Sequence, residues 1–199
     1  MKPMRARFAI LAVVAVMVLP RAEVAAQTGA AQAGSLQTGA AATPRPAQTL
    51  VADALRMARS EHKVVLVHFG ASWCGWCKQF DALLSAPVVG RLMSDNYVIV
   101  SLTALETPPH KAAENPGAAD LMKAMNGTDG LPFFFFLDST GKKVADSNVE
   151  PDGTNIGHPS TPAEIDAFDA LLRRTAPRMT AQQRQQIRAY LTKAAASSG

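Results

Sequence analysis

Cys74 and Cys77 are the only cysteines of this 199-residue chain, two residues apart in Trp73-Cys74-Gly75-Trp76-Cys77. That spacing suits two-electron chemistry at sulfur. Residues i and i+3 of a helix lie about 5–6 Å apart at Cβ, and a disulfide needs Cα atoms about 4.4–6.8 Å apart. One helical turn therefore lets two sulfurs bond and separate with little backbone movement. Cys74, at the start of the predicted helix, meets unpaired N–H groups and the positive dipole end, which favour a thiolate. Cys77, one turn inside and protected, is placed to attack a mixed disulfide formed by Cys74.

Other chemistries fit less well. A zinc site needs about four ligands, and the four histidines (His62, His68, His110 and His158) have no ligand-like spacing. Haem attachment needs a His after the second Cys, where Lys78 stands. A disulfide across one turn constrains the unfolded chain little, so a purely structural bridge ranks low. We expect no metal and no cofactor, the disulfide itself carrying the two electrons. An alternative use of the same surface is as a binding module, for a peptide or, as a metallochaperone, for Cu(I), which soft thiolates select. His158, alone on its loop, reads as a solvent-exposed residue.

The elements that hold the motif follow from periodicity. Val64-Val65-Leu66-Val67-His68-Phe69 is a continuous apolar strand of the kind buried on both faces. Before it, Leu50, Val51, Ala54, Leu55 and Ala58 recur at helical spacing over residues 48–61. After the motif, Phe80, Leu83 and Leu84 give the redox helix a core face, Pro87 interrupts it, and Val88, Val89 and Leu92 suggest a short further turn. Strands are predicted over 97–102, 131–137 and 142–147, the last polar and edge-like, with a loop over 107–117 and a helix over 118–125. A long loop covers 148–162. Thr161, Pro162 and Glu164 then form a capping-box signature, and Thr180 opens a last helix whose apolar face is Ile187, Tyr190 and Leu191. Helix–strand alternation closing in a hairpin predicts an α/β fold, a central mixed β-sheet with helices on both faces and an extra C-terminal helix.

The N-terminus reads as a signal peptide over 1–26: Lys2, Arg5 and Arg7, an apolar run over 8–19, then Val24-Ala25-Ala26 before Gln27. The run is shorter than the roughly 20 residues of a spanning helix, so an uncleaved anchor is the lesser reading. Export, most simply to a periplasm, permits disulfide exchange. Residues 27–47 are an Ala/Gly/Pro/Gln linker with too little bulk to order itself. The formal net charge of +4 is largely the leader's: without 1–26 the chain holds 16 Lys+Arg against 15 Asp+Glu. No nucleic-acid partner is expected, since no Lys/Arg cluster carries interleaved aromatics. The remainder divides into a domain over 48–178 and the helix of 179–196, packed on the domain or on a partner.

Trp73-Cys74-Gly75-Trp76-Cys77-Lys78 after a buried strand, with Gly130-Leu131-Pro132 before a Phe run, resembles the thioredoxin superfamily over about 48–176. Phe80-Asp81-Ala82-Leu83-Leu84-Ser85-Ala86-Pro87-Val88-Val89 is similar to exported thioredoxin-like proteins and to the C-terminal domain of bacterial transmembrane thiol reductases. The resemblance implies a periplasmic thiol-disulfide oxidoreductase with Cys74 as nucleophile and Cys77 as resolving thiol. It implies a cis Pro132 facing the cysteines and Leu131 offering backbone groups to an extended substrate. Gly75 belongs to the same contact surface. Trp73 and Trp76 rim the sulfurs, Trp73 reading mainly as packing and Trp76 as substrate contact. Protein disulfides or dithiols are the expected substrates, with a membrane thiol reductase as electron donor. Where thioredoxin has a buried Asp six residues before its first cysteine, this chain has His68, which reads as a core histidine with a backbone partner. Lys78 reads first as a solvated helix lysine and, as the lesser reading, as a source of positive potential near Cys74. A dimeric isomerase would use the last helix as its interface; packing back onto its own domain is simpler and predicts a monomer.

Overall fold

A computed structural model describes residues 43–127, 130–149 and 152–197. The expected signal peptide, and all of the linker up to residue 42, lie outside the described residues. The domain runs α1 (Ala47–Glu61), β1 (Val64–Gly70), α2 (Gly75–Ser85), α3 (Pro87–Asn96), β2 (Tyr97–Thr103), α4 (Ala118–Ala124), β3 (Phe133–Leu137), β4 (Lys143–Asp146), α5 (Pro162–Thr175) and α6 (Ala181–Ser197). Strand order is β2-β1-β3-β4, with β1 parallel to β2 and antiparallel to β3, and β3 antiparallel to β4. The α/β fold with a mixed sheet and helices on both faces is as predicted.

Side chains of a strand alternate between its two faces, and the two cores divide accordingly. Val65, Val67, Phe69, Phe133, Phe135 and Leu137 pack with α1 and α4. Leu66, Phe134 and Phe136 pack with α2, α3, α5 and α6. β1 is thus buried on both faces, sandwiched between β2 and β3. Ile187 and Leu191 of α6 are buried in the second of these cores, so this helix covers its own domain.

Two local expectations change. Residues 87–96 form a complete helix instead of a single turn, because Pro87 sits where a missing N–H costs nothing and Val89, Leu92 and Met93 face the core. The 107–117 segment contains a 3-10 turn, His110–Ala113, and a cis Pro108–Pro109 bond. The capping box at α5 is complete: Thr161 Oγ1 accepts from Glu164 N, and Glu164 Oε2 accepts from Thr161 N.

Candidate functional site

The motif sits where β1 delivers the chain to α2. Gly70 ends the strand against Cys77; a Cβ there would lie 3.3 Å from Cys77 Cβ. Cys74 is the N-cap of α2, and its Sγ accepts from Cys77 N at 3.0 Å. The sulfurs are bonded to each other, with Cα atoms 5.3 Å apart. Both cysteines are buried in the oxidised form. Gly75 is exposed, and a Cβ on it would meet nothing within 4 Å, so the first turn of α2 opens onto free space.

Two loops hold the motif in place. From the end of β2, Glu106 reaches back across 34 residues: its carboxylate accepts from Ser72 N at 2.6 Å and from Ser72 Oγ at 2.7 Å. Trp73 Nε1 donates to Leu105 O at 2.9 Å. From the other side, Leu131 packs on Ala71, Cys74 and Cys77 ahead of a cis Leu131–Pro132 bond. Among the described residues, the N–H and C=O of Leu131 have no hydrogen-bond partner. Both tryptophans are exposed, Trp73 at 53% and Trp76 at 47%. Trp73 is therefore not the packing residue expected: its indole is anchored by one hydrogen bond and presents its ring to solvent.

Behind Cys77 lies a cleft of about 420 Å³, lined among others by His68, Cys77, Lys78, Asp81, Ser101 and Glu106. His68 is a buried core histidine, but its partner is a side chain: Nε2 lies 2.6 Å from Ser101 Oγ. Burial lowers its pKa to about 4, so the ring is neutral at neutral pH. Asp81 Oδ1 stands 3.7 Å from the same nitrogen, and burial raises the pKa of that carboxyl. Lys78 is exposed on α2 at the mouth of this cleft.

The long loop contributes a second wall. Asn155 Nδ2 donates to Gly130 O at 3.1 Å and Pro132 O at 2.9 Å. His158 is buried, contrary to the exposed position expected of it: its ring stacks on Trp76 with centroids 6.1 Å apart and meets Phe80 edge-on. Between this loop, Trp76 and Leu131 is a groove of about 500 Å³.

The motif, the cis proline and the sheet that joins them define a thioredoxin-like redox domain. The family model of that description, thioredoxin-like domain, matches residues 51–150, and the chain belongs to this family. It is 31% identical over 94 residues to the thiol:disulfide interchange protein DsbD of Photorhabdus laumondii, a match covering 47% of this chain and 15% of that protein. It is 28% identical over 106 residues to the disulfide bond reductase DsbH of Chlamydia pneumoniae, covering 51% of this chain and 62% of that one. The chain thus spans less than two thirds of either relative. Among solved structures, a disulphide isomerase from Xylella fastidiosa aligns over 74% of this chain and 90% of its own, at 21% identity and a TM-score of 0.45.

Among the described residues, no group of three or more His, Cys, Asp or Glu is arranged to hold a metal, and no helix is long and apolar enough to cross a membrane. Asp81, Glu106, Asn155 and His158 were not singled out as site residues from the sequence. Asp81 had a usable signal, lying four residues after Cys77 on the same helix. The other three arrive from distant loops, and no spacing announces them.

Proposed function

We propose that this protein is an exported thiol–disulfide oxidoreductase working in the reducing direction on protein disulfides. The observation that carries the reading is Cys74 at the N-cap of α2, its sulfur receiving the Cys77 N–H. In the reduced protein that N–H and the helix dipole favour a thiolate at Cys74. The DsbH relative is a disulfide bond reductase by name, which supports the reducing direction.

In the reaction, the Cys74 thiolate attacks one sulfur of a substrate disulfide. The substrate S–S bond breaks, its second sulfur leaves as a thiolate, and a mixed disulfide joins Cys74 to the substrate. Cys77 then gives up its proton into the cleft that holds His68 and Asp81, and attacks Cys74 Sγ. The mixed disulfide breaks, the substrate is released as a dithiol, and Cys74–Cys77 holds the bond. Two electrons have passed to the substrate, and a dithiol donor of the membrane thiol-reductase class returns them. Leu131 offers its free N–H and C=O to an extended substrate segment, the strand-addition mode of peptide binding. Gly75 leaves that approach open, and Trp73 and Trp76 provide its apolar rim. Neutral His68 serves as a hydrogen-bonding group in the cleft and supplies no fixed charge, while Lys78 contributes positive potential at the mouth.

The test is the reduction potential of the Cys74–Cys77 pair, by equilibration with glutathione or dithiothreitol buffers and thiol alkylation. A value near −270 mV, the thioredoxin end of the range, supports a reductant; one near −120 mV overturns the direction. Full disulfide reductase activity in Cys74→Ser would sink the oxidoreductase reading itself.

A further inference from the structure

The groove beside Trp76 has a composition that the exchange steps leave unexplained. Asp152 and Glu164 line it and, among the described residues, no Lys or Arg does. Both carboxylates are anionic at neutral pH. Hydrogen bonds from Thr154 hold Asp152 below the usual carboxylate range. Burial acts to raise Glu164, but hydrogen bonds from Ser160 and Thr161 outweigh it and hold that group low as well.

A second, independent feature points to a ligand. His158 lines the same groove with 6% of its surface exposed, and its Nδ1 has no hydrogen-bond partner. Asn148, also in the lining, spends its Nδ2 on Asn126 O and leaves Oδ1 bare. Buried polar atoms are nearly always paired, and leaving one bare is costly. An unpaired amide oxygen, an imidazole nitrogen that accepts in the tautomer protonated at Nε2, two carboxylates and the half-exposed face of Trp76 together suit one chemistry. An ammonium or guanidinium donates to acceptors, pairs with carboxylates and lies favourably over an indole.

We infer that this groove takes a Lys- or Arg-bearing segment next to the substrate's reacting cysteine, so the protein acts preferentially on basic segments. The inference rests on the oxidoreductase reading for its consequence, because the groove adjoins the motif through Trp76 and the cis-proline loop through Leu131. Asn155 and Gly157 tie the loop to that same proline: Asn155 bonds Pro132 O, and a Cβ on Gly157 would lie 3.7 Å from Pro132 Cδ.

The experiment uses the reduced protein and three short disulfide-linked peptides that differ only in a Lys, Ala or Glu two residues from the cysteine. Exchange rates are measured at low and high salt, and binding of the Cys→Ser analogues is followed by fluorescence anisotropy. The expected result is a roughly five- to tenfold preference for Lys over Glu, shrinking at high salt, as interfacial ion pairs do. Asp152→Asn with Glu164→Gln, which retains an Asx turn and a capping box, should bring the three peptides to near parity. Equal rates and equal binding in the unmodified protein overturn the inference while leaving the oxidoreductase reading intact. Preferential binding of the Lys analogue without any exchange supports the groove and overturns the redox reading instead. A preference that survives the double substitution removes Asp152 and Glu164 as its cause and overturns the inference.

Discussion

Asn155 spans Leu131: its single Nδ2 donates to the carbonyls of Gly130 and Pro132, one on each side of that residue. The neighbouring carbonyls are thereby occupied while, among the described residues, the N–H and C=O of Leu131 have no partner. Asn155→Ala should cost about 1–2 kcal/mol in denaturant unfolding, the penalty of part-buried carbonyls losing a donor. Asn155→Asp should cost more, because it sets a carboxylate against two carbonyl oxygens.

Glu106 supports the motif from the opposite side. Its carboxylate is buried and holds both the N–H and the hydroxyl of Ser72. Glu106→Ala leaves that N–H without its acceptor and should lower stability by about 1–3 kcal/mol. Glu106→Gln, which keeps one acceptor oxygen, should lose less. Equilibrium unfolding of the oxidised protein distinguishes the two.

His68 predicts a pH dependence. In the unfolded chain it titrates near 6.5, and in the fold burial lowers this to about 4. Below pH 6.5 the unfolded state takes up a proton that the folded state refuses. Stability is therefore full above about pH 6.5 and falls as pH drops towards 4, by up to about 3 kcal/mol. His158 is also lowered by burial, with Glu164 pulling the other way, and adds to the same slope. His68→Gln should flatten most of it, read as the thermal midpoint against pH. The carboxylates held low, such as Asp138 and Glu164, act below this window.

If Cys77 resolves the mixed disulfide, Cys77→Ser should accumulate substrate bound through Cys74, visible as a dithiothreitol-sensitive mass adduct. Cys74→Ser should form none under the same conditions.

Thr161→Ala should remove one half of the α5 capping box and cost about 1 kcal/mol. A larger loss would mean that the turn also supports the groove wall, which Ser160 and Glu164 share.

Local pattern made the fold readable. Continuous apolar runs located the central strands, and Thr161-Pro162-x-Glu164 located the start of α5 to the residue. Cys74 and Cys77 were legible because their chemistry depends on spacing along one helix. What surrounds them depends on separation in space. Glu106 lies 34 residues from Ser72 and Asn155 lies 23 from Pro132, so nothing local marks either as part of the site. His158 looked solvent-exposed because a lone histidine in a polar loop carries no sign of the Trp76 ring beneath it. Residues 87–96 looked like a single turn because proline was read as a breaker, where at the first helical position it is a starter.

The run Phe133–Leu137 carries one further consequence. Every residue in it is buried, odd positions in one core and even positions in the other. A one-residue slip normally throws apolar side chains into solvent and is penalised. Here a slip would put phenylalanine in place of phenylalanine at most positions, so hydrophobicity is almost blind to it. The frame must come from the ends: Pro132 with its Asn155 bond on one side, and the Asp138 turn, bonded to Thr140 and Lys142, on the other. The residues that place the substrate loop are therefore also the residues that count the strand. Random substitution should find the interior of that strand forgiving of apolar exchange and its borders intolerant.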